Sequence, residues 1–220
     1  MTACGAVAGP GTSARSSGAD RNSLTATPRA GLAYAEAMTE VSARYARIAD
    51  GFGARLDGVA PGQWAATTPC SEWDVRALVA HVIATHGRVV ATVTGSAPAG
   101  VDAEGDLVAQ WSAARGAVSV ALEDPVLAVT TVGGAFGEQP FESLVGRLLC
   151  GDTLFHTWDL ARATGQDEGL DPDAVARAME FLEPLGEAIR RPGGFAPKIT
   201  PPPDADPQTR LLCFGGRPAR

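Results

Sequence analysis

The stretch Asp152-Thr153-Leu154-Phe155-His156-Thr157-Trp158-Asp159-Leu160-Ala161-Arg162-Ala163-Thr164-Gly165 reads as the closing turns of a helix with charge on its apolar side. At about 100° per residue, Val145, Leu148, Leu149, Phe155 and Ala163 share one face, and Asp152, His156 and Asp159 fall within about 40° of its centre. The helix is expected from about Glu142 to Thr164, with Gly165 as the left-handed residue that ends it. Unpaired charges in a core cost several kcal/mol, so two carboxylates and an imidazole on this face require compensation. A divalent cation supplies it directly: imidazole nitrogen and carboxylate oxygen are its ligands, and i, i+4 spacing brings Asp152 and His156 to one point. The alternative is a metal-free Asp-His-Asp hydrogen-bond ladder. A tetrahedral site needs a third ligand from another element.

Outward from this helix, Tyr34, Met38, Val41, Tyr45, Ile48, Phe52 and Leu56 recur at spacings of three and four, and Gly58, Pro61 and Gly62 end that first helix. A second helix is expected from Glu72 to about Thr94, capped by Ser71 with the Asp74 carboxylate reaching back, striped by Val75, Leu78, Val79, Val82, Val89 and Val93, and closed by Gly95. A third, with Leu107, Trp111, Ala114, Val118 and Leu122 inward, stops at Asp124-Pro125. Residues 126–140 alternate β-branched positions and carry Gly133-Gly134 and Gly137, which predicts a short hairpin or a long loop. Asp171-Pro172 opens a further helix to about Arg190, kinked at Pro184. The pattern is all-α: an antiparallel four-helix bundle with a short hairpin or long loop before the fourth helix and an extra C-terminal helix. Three regions are expected: a disordered tail over 1–29, too poor in large apolar groups to offset its ordering entropy, the bundle over 30–191, and a Pro/Gly-rich, extended arm over 192–220 anchored by Leu211-Leu212.

The 220 residues, 45% of them hydrophobic, suffice for one substantial core. Net charge is −7, and 17 arginines against the single Lys198 are scattered, which excludes a basic stripe for nucleic acid. The Arg, Ala and Gly bias points to a GC-rich genome of the actinobacterial kind. Cys4, Cys70, Cys150 and Cys213 form no C-x-x-C pair, which argues against a zinc knuckle, a thioredoxin-like motif or a disulfide framework. Cys70 precedes a helix N-terminus, where a thiol pKa can fall, but nothing else in the sequence marks it as a nucleophile. No signal-peptide pattern and no run of ~18 apolar residues occurs, so a cytoplasmic protein without a membrane partner is expected.

The other two histidines, His81 and His86, both lie on the second helix. The helical wheel favours His86, near the middle of the stripe; His81 lies about 120° away, beside Asp74, Thr85 and Arg88. The segment Thr68-Pro69-Cys70-Ser71-Glu72-Trp73-Asp74-Val75-Arg76-Ala77-Leu78-Val79-Ala80-His81-Val82 resembles the "W-x-V-R-x-L-V-x-H" motif of the DinB-like, mycothiol-dependent maleylpyruvate isomerase-like metal-binding proteins. The stretch Asp152–Gly165 resembles that family's "acid-x-x-x-H-x-W-D-L-A-x-A-T-G", and Pro201-Pro202-Pro203-Asp204-Ala205-Asp206-Pro207-Gln208-Thr209-Arg210-Leu211-Leu212 resembles the tail of one actinobacterial subgroup. The likeness spans about residues 30–215.

The resemblance implies a DinB-like bundle and a metal held by His81, Asp152 and His156. It leaves His86 as a core histidine with one hydrogen bond. Asp159 is expected to accept from a ligand imidazole and fix its tautomer, with Arg88 or Arg162 as its own partner. Trp73 and Trp158 are expected to pack. Two departures stand out: the isomerase has glutamate where this chain has Asp152, and it has a C-terminal domain that this chain lacks. The implied cofactors are one divalent ion, zinc or nickel, and a low-molecular-weight thiol such as mycothiol, in a monomer or homodimer. Three activities follow: a thiol-dependent transferase or isomerase acting on an electrophile of unknown identity, a metal-dependent hydrolase, or a non-catalytic metal- or small-molecule-binding protein.

Overall fold

The computed structural model describes residues 28–134, 136–190 and 195–218, with side chains from Glu40 onward. It is mostly helical. Helix α1 runs over Pro28–Asp57 and turns Tyr45, Ile48, Ala49, Phe52 and Leu56 into the core. The side chains of Tyr34 and Met38, and the expected tail over residues 1–27, lie outside the described residues; Pro28 and Arg29 already belong to α1. A short 3-10 turn, Pro61–Gln63, leads into the segment before α2.

Helix α2 occupies Val75–Thr94, starting three residues later than expected. Ser71 does not cap it. The Trp73 amide donates to the Cys70 carbonyl at 2.8 Å, the Val75 amide to Ala66 at 3.0 Å, and Thr67 bridges Asp74, so residues 67–74 close a loop. Asp74, the last residue of this loop, becomes the cap and accepts from the Ala77 amide at 2.8 Å. Gly95 ends α2 in the left-handed region at φ 69°. By length and composition α2 could cross a membrane, yet Val75, Leu78, Val79, Val82, Ile83 and Val89 are packed in the protein core.

Helix α3 spans Leu107–Glu123 as the pattern indicates. Asp124 then caps a second, five-residue helix, α4 (Pro125–Val129), accepting from Val126 and Leu127 at 2.8 and 3.1 Å. Asp-Pro both stops one helix and starts another here, because proline suits the first position of the next. The hairpin follows: β1 (Thr131–Val132) pairs antiparallel with β2 (Gln139–Pro140), Val132 opposite Gln139.

The helix that carries the charged face is continuous but not uniform. It begins as α5 (Phe141–Leu144), widens into a π-helical stretch over Val145–Leu149, where the Cys150 amide donates to the Val145 carbonyl, and continues as α6 (Cys150–Thr164). Gly165 ends it at φ 69°. Helix α7 covers Pro172–Leu182 behind its Asp171 cap. Pro184 lies in a 3-10 stretch, Glu183–Ile189, and Gly186 breaks it at φ 51°, so the long kinked helix expected to Arg190 is an α-helix plus a tighter turn. The arm folds further than expected: Asp206 caps α8 (Pro207–Phe214), which buries Leu211, Leu212 and Cys213. Helix α1 packs on α6 and α3, α2 on α3 and α6, and α7 on α6 and α8. The centre of the fold is thus the contact of α6 with α1 and α2, and α6 is the helix that brings charge into it.

Candidate metal centre

Two helices bring the three expected ligands together. His81, on α2, presents Nε2 to Asp152 Oδ1 at 3.4 Å; His156, one turn beyond Asp152 on α6, presents Nε2 to the same oxygen at 3.5 Å. One donor atom from each of these residues can be chosen so that all lie within 4.8 Å of one another. The rings of His81 and His156 meet edge to face with centroids 5.2 Å apart. Trp73, in the loop before α2, lies over His81 at 4.4 Å and 33° and covers the pair from one side.

These distances bear on the choice between the ladder and the metal. Well-formed N–H···O bonds lie at about 2.7–3.2 Å, so the Asp152 contacts to both imidazoles are too long for a tight ladder. A tetrahedral ion bound at about 2.0–2.1 Å holds its nitrogen and oxygen ligands about 3.3–3.4 Å apart, close to the separations of Asp152 Oδ1 from the His81 and His156 nitrogens. The second carboxylate oxygen, Asp152 Oδ2, is buried without a hydrogen-bond partner, a costly state that a cation would relieve. The donor set, two imidazoles and one carboxylate, therefore fits a borderline divalent ion.

The surroundings reinforce this geometry. Burial works against its charge, yet the imidazoles of His156 and His81 hold the Asp152 carboxyl well below the usual range. Burial likewise opposes a charge on His156, but Asp152 and Asp159 together raise its pKa to about 9. Asp159 is fully buried, accepts from His156 Nδ1 at 3.0 Å, and so leaves Nε2 as the nitrogen facing Asp152 and His81. Thr85 completes the α2 side, its hydroxyl donating to the His81 carbonyl at 2.9 Å while lying 3.5 Å from His81 Nε2.

His86 stands apart from this cluster. It is fully buried, its Nδ1 donates to the Val82 carbonyl at 2.8 Å, and it sits between Tyr45 and Trp111. Burial pushes its pKa down to about 4, so it is a neutral core histidine. The wheel was right that His86 faces the core, but the donor cluster lies in the seam between α2 and α6, where His81 points. Neither arginine expected beside Asp159 is there: Arg88 donates to Thr85 Oγ1 at 2.7 Å, and Arg162 pairs with Glu168 at 2.9 Å while lying over Trp158. The partner is Arg217, from the C-terminal arm, whose Nε and Nη2 donate to Asp159 Oδ1 and Oδ2 at 3.1 and 2.6 Å. Nothing in the local sequence pattern marks Arg217, which lies 58 residues further along the chain. A second trio, Cys70, His156 and Asp159, also clusters, but both Asp159 oxygens are engaged by Arg217 and His156.

Residues 45–161, which contain all three donors, match the family described as the mycothiol maleylpyruvate isomerase N-terminal domain. The chain belongs to this family. Two uncharacterized proteins of Mycobacterium tuberculosis, one from strain CDC 1551 / Oshkosh and one from strain ATCC 25618 / H37Rv, are each 34% identical to it over 176 residues. Each alignment covers 79% of this chain and 96% of the relative, so the likeness takes in nearly all of those proteins. No solved structure matches. As a member of the mycothiol maleylpyruvate isomerase N-terminal domain family, the chain is similar over its central helices to a domain named for a thiol-dependent isomerase, and carries a group of side chains suited to a metal.

Proposed function

We propose that this is a cytoplasmic metalloprotein in which α1, α2, α3 and the α5–α6 rod form a DinB-like antiparallel four-helix bundle around one divalent ion, zinc or alternatively nickel. The ligands are His81 Nε2, Asp152 and His156 Nε2, and Asp159 holds His156 in the tautomer that frees Nε2. The observation that carries this reading is the pair of 3.4 and 3.5 Å separations between the Asp152 carboxylate and two imidazole nitrogens, which match ligand spacing and exceed good hydrogen bonds. Three protein ligands leave a fourth position open, the mark of a catalytic rather than a structural site.

The reaction class that fits is transfer or isomerisation of an electrophilic substrate by a low-molecular-weight thiol of the mycothiol kind. A divalent ion at this site supplies Lewis acidity, lowering the pKa of a bound thiol and fixing its sulfur. The chain's own residues orient that chemistry: Trp73 walls the cluster, and Asp159 fixes the His156 imidazole. Hydrolysis fits less well, since it calls for a base to take a proton from water. Among the described residues around the cluster, Asp159 is bound by Arg217 and His156, and no other carboxylate is in contact with the histidines besides Asp152. Elemental analysis of protein purified without chelator, followed by titration with thiols, tests the proposal. Close to one equivalent of zinc or nickel and thiol binding that depends on it are expected; metal-free protein with no uptake at micromolar zinc or nickel contradicts it.

A further inference from the structure

Arg217 is buried and held from several sides. Besides its two bonds to Asp159, its Nη1 donates to the Gly215 carbonyl at 3.0 Å, its Nη2 lies 3.6 Å from Cys70 Sγ, and its guanidinium covers the Phe155 ring at 4.8 Å. Asp159 Oδ2 is shared between Arg217 Nη2 at 2.6 Å and His156 Nδ1 at 3.0 Å, so the arm reaches a ligand imidazole through one carboxylate. The charge balance of the buried cluster follows. Among the described residues, Asp152 and Asp159 contribute two negative charges and Arg217 one positive; His81 and His156 are neutral when they ligate. Among the described residues the other nearby cation is Arg88, solvent-exposed beyond Thr85, where water screens it.

A dication therefore brings this cluster to a net charge of one positive, whereas without Arg217 it would be neutral. Buried excess charge is costly until compensated, so the open position favours a ligand that carries one negative charge. We propose that Arg217 is a positioning residue of the metal centre: by neutralising Asp159 it selects a monoanion, the thiolate of a small thiol, as the fourth ligand over a neutral molecule. The thiol proton leaves to solvent, and the arm becomes part of the site. The inference rests on the metal-binding reading given above.

The test uses the full chain loaded with cobalt(II), whose visible spectrum reports ligand exchange, titrated with azide and with 2-mercaptoethanol. At an effective dielectric near 20, loss of one unit charge on the order of 10 Å away weakens a monoanion about tenfold or more. Arg217→Gln should bind azide and thiol at least tenfold more weakly than wild type while still holding one equivalent of cobalt. Arg217→Lys should stay near wild type, and Asp159→Asn/Arg217→Gln, in which the charge count is restored, should recover most of the loss. A role limited to packing the arm gives no such recovery. Asp159→Asn alone, with cobalt in saturating excess, should bind azide more tightly than wild type, which keeps the inference testable where Arg217→Gln does not fold. Unchanged anion affinity in Arg217→Gln, no recovery in the double variant, or weaker azide binding in Asp159→Asn each overturns the inference while leaving the metal site standing. Failure of wild type to take up cobalt instead defeats the metal reading itself.

Discussion

Removing the proton-accepting ring at position 86 should remove a defined part of the protein's acid sensitivity. His86 is fully buried and its pKa is pushed from 6.5 to about 4, chiefly by burial. A histidine with a depressed pKa in the folded state binds fewer protons there than in the unfolded chain between those two values. Stability is therefore complete above pH 6.5 and falls as the pH drops toward 4, below which the loss levels off. Integrating between pH 7.5 and pH 4.5 gives a loss of about 2.5 kcal/mol from this group. No dilution by solvent is required, because the ring has none around it. The assay is urea unfolding of chelator-treated protein at both pH values, comparing wild type with His86→Leu, which is similar in volume and cannot titrate. Wild type should lose roughly 2–3 kcal/mol more than the variant over this interval. The remaining carboxylates act on both proteins alike, so the difference isolates His86. Parallel losses in the two proteins would refute the reasoning and mean that the ring is hydrated or charged in the fold.

The raised pKa of His156, about 9, means that a proton competes for Nε2, so zinc affinity should climb by up to about tenfold per pH unit between pH 6.5 and 7.5; calorimetric titration showing equal affinity at both would contradict this. His81→Ala should lose the ion while His86→Ala keeps it and loses about 2–3 kcal/mol of packing, as measured by metal retention on desalting and by urea unfolding. Asp159→Asn should weaken zinc by about 10–100-fold and also destabilise the metal-free fold on the order of 3 kcal/mol, because the buried ion pair with Arg217 is broken; a variant as stable as wild type would show that this ion pair does not hold the arm.

What could be read from the sequence depended on the range of the interaction. Asp152 and His156 were legible because i, i+4 spacing on an apolar helix face is a local pattern, and Gly165 because a left-handed end to that helix is a local demand. The start of α2 differs from the expectation because Ser71 and Asp74 both suit a cap; the bridge that Thr67 makes to Asp74 draws Ser71 into the loop and leaves the role to Asp74. His81 could not be chosen over His86 by periodicity, since a wheel finds the face toward the core and the donor cluster lies in a seam between two helices. Arg217 was invisible: it belongs to no amphipathic stripe, and its contact with Asp159 exists only after α8 and the Gly215-Gly216 turn bring the arm back. The Asp206-Pro207 pair, a helix start as readable as Asp171-Pro172, was the one local signal that the arm folds.

As the proposed carboxylate ligand, Asp152 is the residue on which the three-residue metal centre depends. Equilibrium dialysis of chelator-stripped protein against micromolar zinc tests it most directly, with wild type beside Asp152→Asn, which keeps the side-chain volume and removes the charge. Wild type should hold close to one equivalent and the variant none; equal zinc in both would rule Asp152 out as a ligand.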